Sequence, residues 1–343
     1  MSKILVIGDL HLKAKRGYAD YTPDGRVKEV EKVLKQLTEA SSDCDKVVLL
    51  GDSLNSKNND SSVIKQFVSF LESFEGKEIV IIGGNHDCGA DGKSALDFLK
   101  EIRGKNWTII TDTILERDGL VYCPYFYKQQ LGVDDLSEAR DILSNRLPKG
   151  KILFIHHAFT GTNSNGMDAE FFPEIVLPLD VAKTKYDTVF AGHIHQPQEN
   201  ENLKVVGSVF CDEMGEKGKN YWKVDTETLN AQSYPIDGVK IVTLENPKIE
   251  DIKKITDKEN IFKIVFTEVV STEAKEEIEK EMSSFYGWVI SEQYTNERVQ
   301  LKEADAKSMV DMSVPELLKL YSDTNNVPFE KIIKGWELIQ NKL

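Results

Sequence analysis

The sequence lacks most of what marks a secreted, membrane-spanning or fibrous chain. Its only cysteines, Cys44, Cys88, Cys123 and Cys211, form no C-x-x-C pair, so neither a zinc knuckle nor a disulfide framework is indicated and a reducing cytoplasm is expected. No apolar run approaches the roughly 20 residues that cross a bilayer. Met1 leads straight into the strand-like run Ile4 to Ile7, without a basic leader region or cleavage site, so the chain is expected to be neither exported nor membrane-bound. There is no internal repeat and no low-complexity tract. Positive charge is also short: 43 Lys and Arg face 57 Asp and Glu, a net charge of -14. That argues against broad non-specific binding to nucleic acid, which needs a basic face, but leaves room for a local basic site.

What remains is an ordinary soluble balance, 40% hydrophobic and 29% charged over 343 residues, enough for two domains. The first half alternates apolar runs with helical patterns. Ile4 to Ile7 precedes a helix near Val27 to Leu37, Val47 to Leu50 precedes a helix carrying Val63, Phe67, Phe70, Leu71 and Phe74, and Ile79 to Ile82 follows. Such alternation reads as β-α-β units. Further strands are expected at 108–110, 121–123, 152–155, 188–191, 204–206 and 221–224, with few helices between them. The expected fold is therefore an α/β sandwich of two sheets over residues 1–237. After Gly238 the pattern restarts as a small α/β domain, 238–303, with strands 262–266 and 288–290 around a helix whose Ile278, Met282 and Phe285 share a face. A helical tail, 304–343, follows: Ser313 and Glu316 form a capping box ahead of Val314, Leu317, Leu318 and Tyr321, and Pro328 opens a second helix with Phe329, Ile332, Ile333, Trp336 and Ile339.

The chain has six histidines, and each lies within a few residues of the end of an apolar run. Carboxylates and an amide join them: Asp9-Leu10-His11, Gly51-Asp52, Gly84-Asn85-His86-Asp87, His156-His157 and Gly192-His193-Ile194-His195. Taken singly each motif is weak, since Gly-Asp commonly ends a strand in a turn. Five such clusters, all at the carboxyl ends of strands where loops of α/β sheets converge, point to one site. Asp, Asn and imidazole suit Mn²⁺, Fe²⁺ or Zn²⁺, and the absence of cysteine ligands favours a catalytic over a sealed structural centre. The donors are too many for one ion. Two ions about 4 Å apart, bridged by a carboxylate, would use them and could activate a water and stabilise the oxygens of an in-line phosphoryl displacement.

In this order and spacing, D-x-H, G-D, G-N-H-D, a strand-end His and G-H-I-H resemble the calcineurin-like metallophosphoesterase superfamily over about residues 1–226. The resemblance implies a metallophosphoesterase sandwich with one metal site from Asp9, His11, Asp52 and His195 and a second from Asp52, Asn85, His156 and His193, with Asp52 bridging. It also implies that His86 contacts the scissile phosphate and aids the leaving group, with Asp87 orienting it. Neighbouring strand residues face opposite sides, so only one of His156 and His157 is expected to be a ligand. His156 is preferred, and His157 then has a structural or substrate-side role.

Other features resemble the SbcD-type nuclease subunit of SbcCD DNA-repair complexes. They are Val205-Val206-Gly207-Ser208, the stretch Lys217 to Asp225, the small α/β cap and the two amphipathic tail helices. The resemblance implies a Mn²⁺-dependent enzyme, with Mg²⁺, Fe²⁺ or Zn²⁺ as alternatives, acting on DNA ends and single strands in double-strand-break processing. An SbcC-type coiled-coil ATPase would bind the tail, and a homodimer would use the region of Phe67, Phe70 and Phe74, although the stripe itself reads first as core packing. Where that family commonly has Asp, three residues beyond Asp52, this chain has Asn55. Lys13, Lys15, Arg16 and Lys57 follow the first two motifs and could reach phosphates; Lys13, Arg16, Asn55 and His157 are the candidate substrate contacts. The alternatives are a stand-alone phosphoesterase for small nucleotides or phosphoproteins, and a non-enzymatic scaffold for an ATPase, against which the complete ligand set and His86 count.

Overall fold

The computed structural model describes residues 2–292, apart from 103, 165, 214 and 217, together with single positions between 313 and 336. Two six-stranded sheets form the body. The first runs, in spatial order, Ala231–Pro235, Asn220–Asp225, Lys3–Ile7, Lys46–Leu49, Glu78–Ile82 and Trp107–Ile110. Its last four strands are parallel. The second runs Gln198–Asn200, Leu203–Val205, Thr188–Ala191, Ile152–Ile155, Leu120–Cys123 and Leu115–Arg117, with its four central strands parallel.

Alternation along the strands makes two inner faces and two outer ones. Ile4 and Val6 join Val48, Val80, Tyr122, Phe154, Phe190 and Trp222 between the sheets. Leu5 and Ile7 turn outward, under the helices Val27–Ala40 and Ser61–Glu72. On the far side Leu153 and Ile155 pack beneath Leu136–Arg146 and Leu179–Lys185. The fold is thus a two-sheet α/β sandwich, as expected, but the second sheet carries helices that the reading of few helices there overlooked. Both bury narrow stripes, Ala139 and Leu143 in one and Val181 and Ala182 in the other, too little to register as periodicity. A local signal existed: Asp135 caps the first by accepting from the Glu138 N–H at 2.8 Å. The overlooked strands of these two sheets, Leu115–Arg117, Gln198–Asn200 and Ala231–Pro235, are half-exposed edges with no apolar run.

Phe67, Phe70 and Phe74 are buried in the core under the first sheet. This stripe is packing and offers no face to a second subunit, so the homodimer expected through it would have to use other residues. Beyond the sandwich a third sheet, Ile241–Glu245, Ile261–Phe266 and Gly287–Glu292, is wholly parallel, with Ile249–Lys253 and Thr272–Met282 as its crossovers and Phe262, Ile264, Phe266, Ile278 and Met282 as its core. Residues 1–292 form one compact unit and 293–343 another. Val314, Leu317 and Leu318 are helical, and the Leu317 N–H donates to the Ser313 carbonyl at 3.0 Å. Glu316, Tyr321, Pro328, Ile339 and the expected boundary at 303 lie outside the described residues. No described helix is long and apolar enough to cross a membrane.

Phe154, fully buried, stacks on Tyr122 at 5.3 Å and on Phe190 at 5.7 Å between the sheets. Phe154→Ala should lower stability by about 3–5 kcal/mol, read as a lower urea midpoint with an unchanged slope. A loss below about 1 kcal/mol would contradict this account of the inter-sheet core.

Candidate metal centre

Each candidate ligand leaves the carboxyl end of a parallel strand. Asp9 and His11 follow Lys3–Ile7, Asp52 follows Lys46–Leu49, Asn85 and His86 follow Glu78–Ile82, His156 follows Ile152–Ile155, and His193 and His195 follow Thr188–Ala191. The sandwich brings these ends of both sheets to one edge, so loops far apart in sequence meet. The turns are tight enough to put His11, Asp52 and His193 at positive φ, at 43°, 46° and 78°. Such conformations cost non-glycine residues about 1–3 kcal/mol each and cluster at functional sites. The motif glycines make room: a Cβ on Gly51 would lie 2.2 Å from His156 Nδ1, and one on Gly84 2.1 Å from Asp52 Oδ1.

Donor atoms fall into overlapping groups: Asp9, His11 and His195; His11, Asp52 and His86; and Asp52, His156 and His193. Asp52 Oδ2 stands 3.5 Å from His11 Nε2 on one side and 3.4 Å from His156 Nε2 on the other. Asn85 Oδ1 lies 3.2 Å from His156 Nε2 and 3.0 Å from His193 Nδ1. His11 Nε2 and His195 Nε2 meet at 2.9 Å, and Asp9 Oδ2 is 3.9 Å from His195 Nε2. Every ligand named from the sequence is therefore in the cluster, and His86, named for the leaving group and not as a ligand, falls with His11 and Asp52 in one of the overlapping groups. Two facing imidazole nitrogens repel unless a proton or a cation lies between them, and buried carboxylates require compensating charge. The donor set fits a pair of divalent cations.

The electrostatics agree. Burial pushes the Asp9 carboxyl up, partly offset by His156, and pushes His11 down to about 3, leaving its ring neutral. Burial opposes charge on His156 too, yet Asp52 and Asp9 outweigh it and hold that ring up at about 10. Asp52 is low despite burial because His156 stabilises its charge. His195 is raised, burial being outweighed by its hydrogen bond to Glu216 and by Asp9.

Other expectations need correction. Asp87 does not orient the His86 ring: its carboxylate accepts from the N–H groups of Ser53, Leu54 and Gly84 at 3.1, 2.8 and 3.0 Å, tying the Asp52 loop to the Asn85 loop. Burial, then the nearby Asp52 charge, pushes its carboxyl up to about 7. The exposed His86 instead places Nδ1 2.9 Å from the Asn55 carbonyl, while its backbone N–H donates to Asp52 Oδ1 at 2.8 Å. Asn55 thus orients His86 through its backbone. Arg16 is not a phosphate contact: its side chain is 3% exposed, over the Phe210 ring and bound to Asp212 and to the Leu10 and His11 carbonyls. Lys13 pairs with Asp212 at 2.8 Å and Lys57 with Asp91 at 3.1 Å. His157 is buried, accepting from the Phe126 N–H at 3.0 Å with Nδ1 3.3 Å from the Ile175 carbonyl, so of its two expected roles it has the structural one.

Two residues escaped the sequence reading. Glu174 Oε1 lies 2.6 Å from His193 Nε2, and Glu216 Oε1 3.0 Å from His195 Nδ1. Each sits in an irregular loop, outside any apolar run or histidine motif, and only the fold brings it to its partner.

The family model for calcineurin-like phosphoesterases matches residues 2–197, more than half of the chain. The protein therefore belongs to the calcineurin-like phosphoesterase family, and with this donor cluster it is a metal-dependent hydrolase of phosphoesters. None of the curated proteins compared matches the sequence. A solved structure described as a novel archaeal phosphodiesterase is 15% identical, with 68% of this chain and 99% of that one covered at a TM-score of 0.35.

Because His156, held up at about 10, keeps a proton in the ion-free site at neutral pH, a cation must displace it. Affinity for Mn²⁺ should rise with pH between 6 and 8, about tenfold per unit for each proton displaced. Competition with a chromophoric chelator measures this, and a pH-independent affinity would contradict it.

Proposed function

We propose that the protein is a phosphodiesterase acting on DNA, an exonuclease at ends and an endonuclease on single strands, with Mn²⁺ as its preferred ion. The observation that carries the reading is the meeting of overlapping donor groups at Asp52, with the exposed His86 beside His11 and Asp52. Bound there, two cations would supply Lewis acidity to the phosphate and an activated water. The protein's own part is positional. With the Asn55 carbonyl holding Nδ1, His86 Nε2 is left to the substrate, and a protonated ring can give its proton to the departing oxygen.

The DNA substrate is supported by the sequence resemblance around Gly207-Ser208, 217–225 and the tail. On the same ground we place the enzyme in double-strand-break processing, with an SbcC-type ATPase bound by residues 304–343 and as a homodimer. The four cysteines, all buried and unbridged, suit the cytoplasm. One observation favours a second reading, a stand-alone enzyme for small phosphodiesters or phosphoproteins. The basic residues nearest the motifs are engaged with Asp212, Asp91 and, for Lys15, Asp20 at 2.6 Å, which leaves little positive charge for a long polyanion.

Degradation of linear duplex and single-stranded DNA with Mn²⁺, beside a nitrophenyl phosphodiester, separates the readings. His86→Ala should lose roughly 10²- to 10⁴-fold in rate while keeping its bound ions. Full activity in this variant would remove His86 from the mechanism, and hydrolysis of the small diester with DNA untouched would move the substrate to the second reading.

A further inference from the structure

The two histidines of Gly192-His193-Ile194-His195 present opposite nitrogens to the centre. His193 turns Nδ1 to Asn85 Oδ1 at 3.0 Å, while His195 turns Nε2 to His11 at 2.9 Å and toward Asp9. A ring nitrogen binds a cation only through its lone pair, so His193 must keep its proton on Nε2 and His195 on Nδ1. Those are the two nitrogens that meet carboxylates, Glu174 at 2.6 Å and Glu216 at 3.0 Å, and neither carboxylate belongs to the donor groups themselves.

We infer that Glu174 and Glu216 are positioning residues, each fixing the tautomer and ring orientation of one histidine ligand, and so each controlling one of the two ions. The inference rests on the two-ion reading of the site. Both acids are anchored independently of the histidines. Glu174 accepts from the Tyr125 hydroxyl at 3.1 Å. Glu216 is 3% exposed at its side chain, pairs with Lys219 at 3.2 Å and accepts from the Asp212 N–H at 2.9 Å. Lys219 also donates to the His195 carbonyl at 3.1 Å and to Ser208 Oγ at 2.6 Å, so one buried cluster holds both the ring and the backbone of His195. The acids come from separate loops and share no partner among the described residues, so their effects are separable. Carboxylates behind metal-bound histidines typically carry 10- to 100-fold in affinity.

The test is zinc titration of the full chain, with ¹⁵N spectra of the histidine rings in the zinc-loaded protein. The wild type should bind two ions, with His193 ligated through Nδ1 and His195 through Nε2. Glu174→Gln should weaken one binding step about 10- to 100-fold and disturb the His193 ring signals only. Glu216→Gln should weaken the other step and disturb His195 only. Since that change strands the buried Lys219 ammonium, Glu216→Gln combined with Lys219→Met provides the same readout in a chain without the unpaired charge. Wild-type affinities and ring signals in the variants, or equal loss of both steps in each, would overturn the inference. A wild type that binds no zinc would instead overturn the two-ion reading beneath it.

Discussion

Two carboxylates, Asp9 and Asp52, are buried almost completely at the edge of a sandwich whose interior is hydrocarbon. An uncompensated charge in such a place costs several kcal/mol, and the surrounding donors are placed to meet that cost. His156 lies within reach of both acids, His11 and His195 close one side, and Asn85 with His193 closes the other. Asp52 is the hinge of the arrangement, because one of its oxygens faces both groups while the other accepts the His86 N–H.

The scaffold follows from this demand. Ligands from five loops can be held together only if those loops leave rigid strands at the same edge, and two facing sheets with parallel central strands achieve that. The loops are then fastened to each other: the His11 N–H donates to the Asp52 carbonyl at 2.8 Å, the His193 N–H to Asp9, and three N–H groups to Asp87. These bonds hold the left-handed turns at His11, Asp52 and His193. Asp87, beside His86 in sequence, serves the scaffold and not the reacting group.

What could be read from the sequence divides along physical lines. Strands buried on both faces are continuous apolar runs, so Ile4 to Ile7, Ile79 to Ile82 and Ile152 to Ile155 were legible, and with them the ligands at their ends. Edge strands such as Gln198–Asn200 and helices burying one or two residues leave no such trace. The sites of Glu174 and Glu216 were illegible for another reason: their meaning lies in distances to His193 and His195 that only the folded chain sets. The basic residues after the motifs were visible, but their aspartate partners, Asp212 above all, lie up to about two hundred positions away. Sequence proximity to the motifs therefore suggested phosphate contacts where the fold makes ion pairs.

Two ions bound in this cluster would share Asp52. Electron paramagnetic resonance of the protein loaded with two equivalents of Mn²⁺ reads this directly, since ions bridged by one carboxylate are magnetically coupled. A coupled-pair spectrum that collapses to the signal of isolated ions, or is lost, in Asp52→Asn is the expected result. Two uncoupled Mn²⁺ signals in the wild type, unchanged by Asp52→Asn, would contradict it.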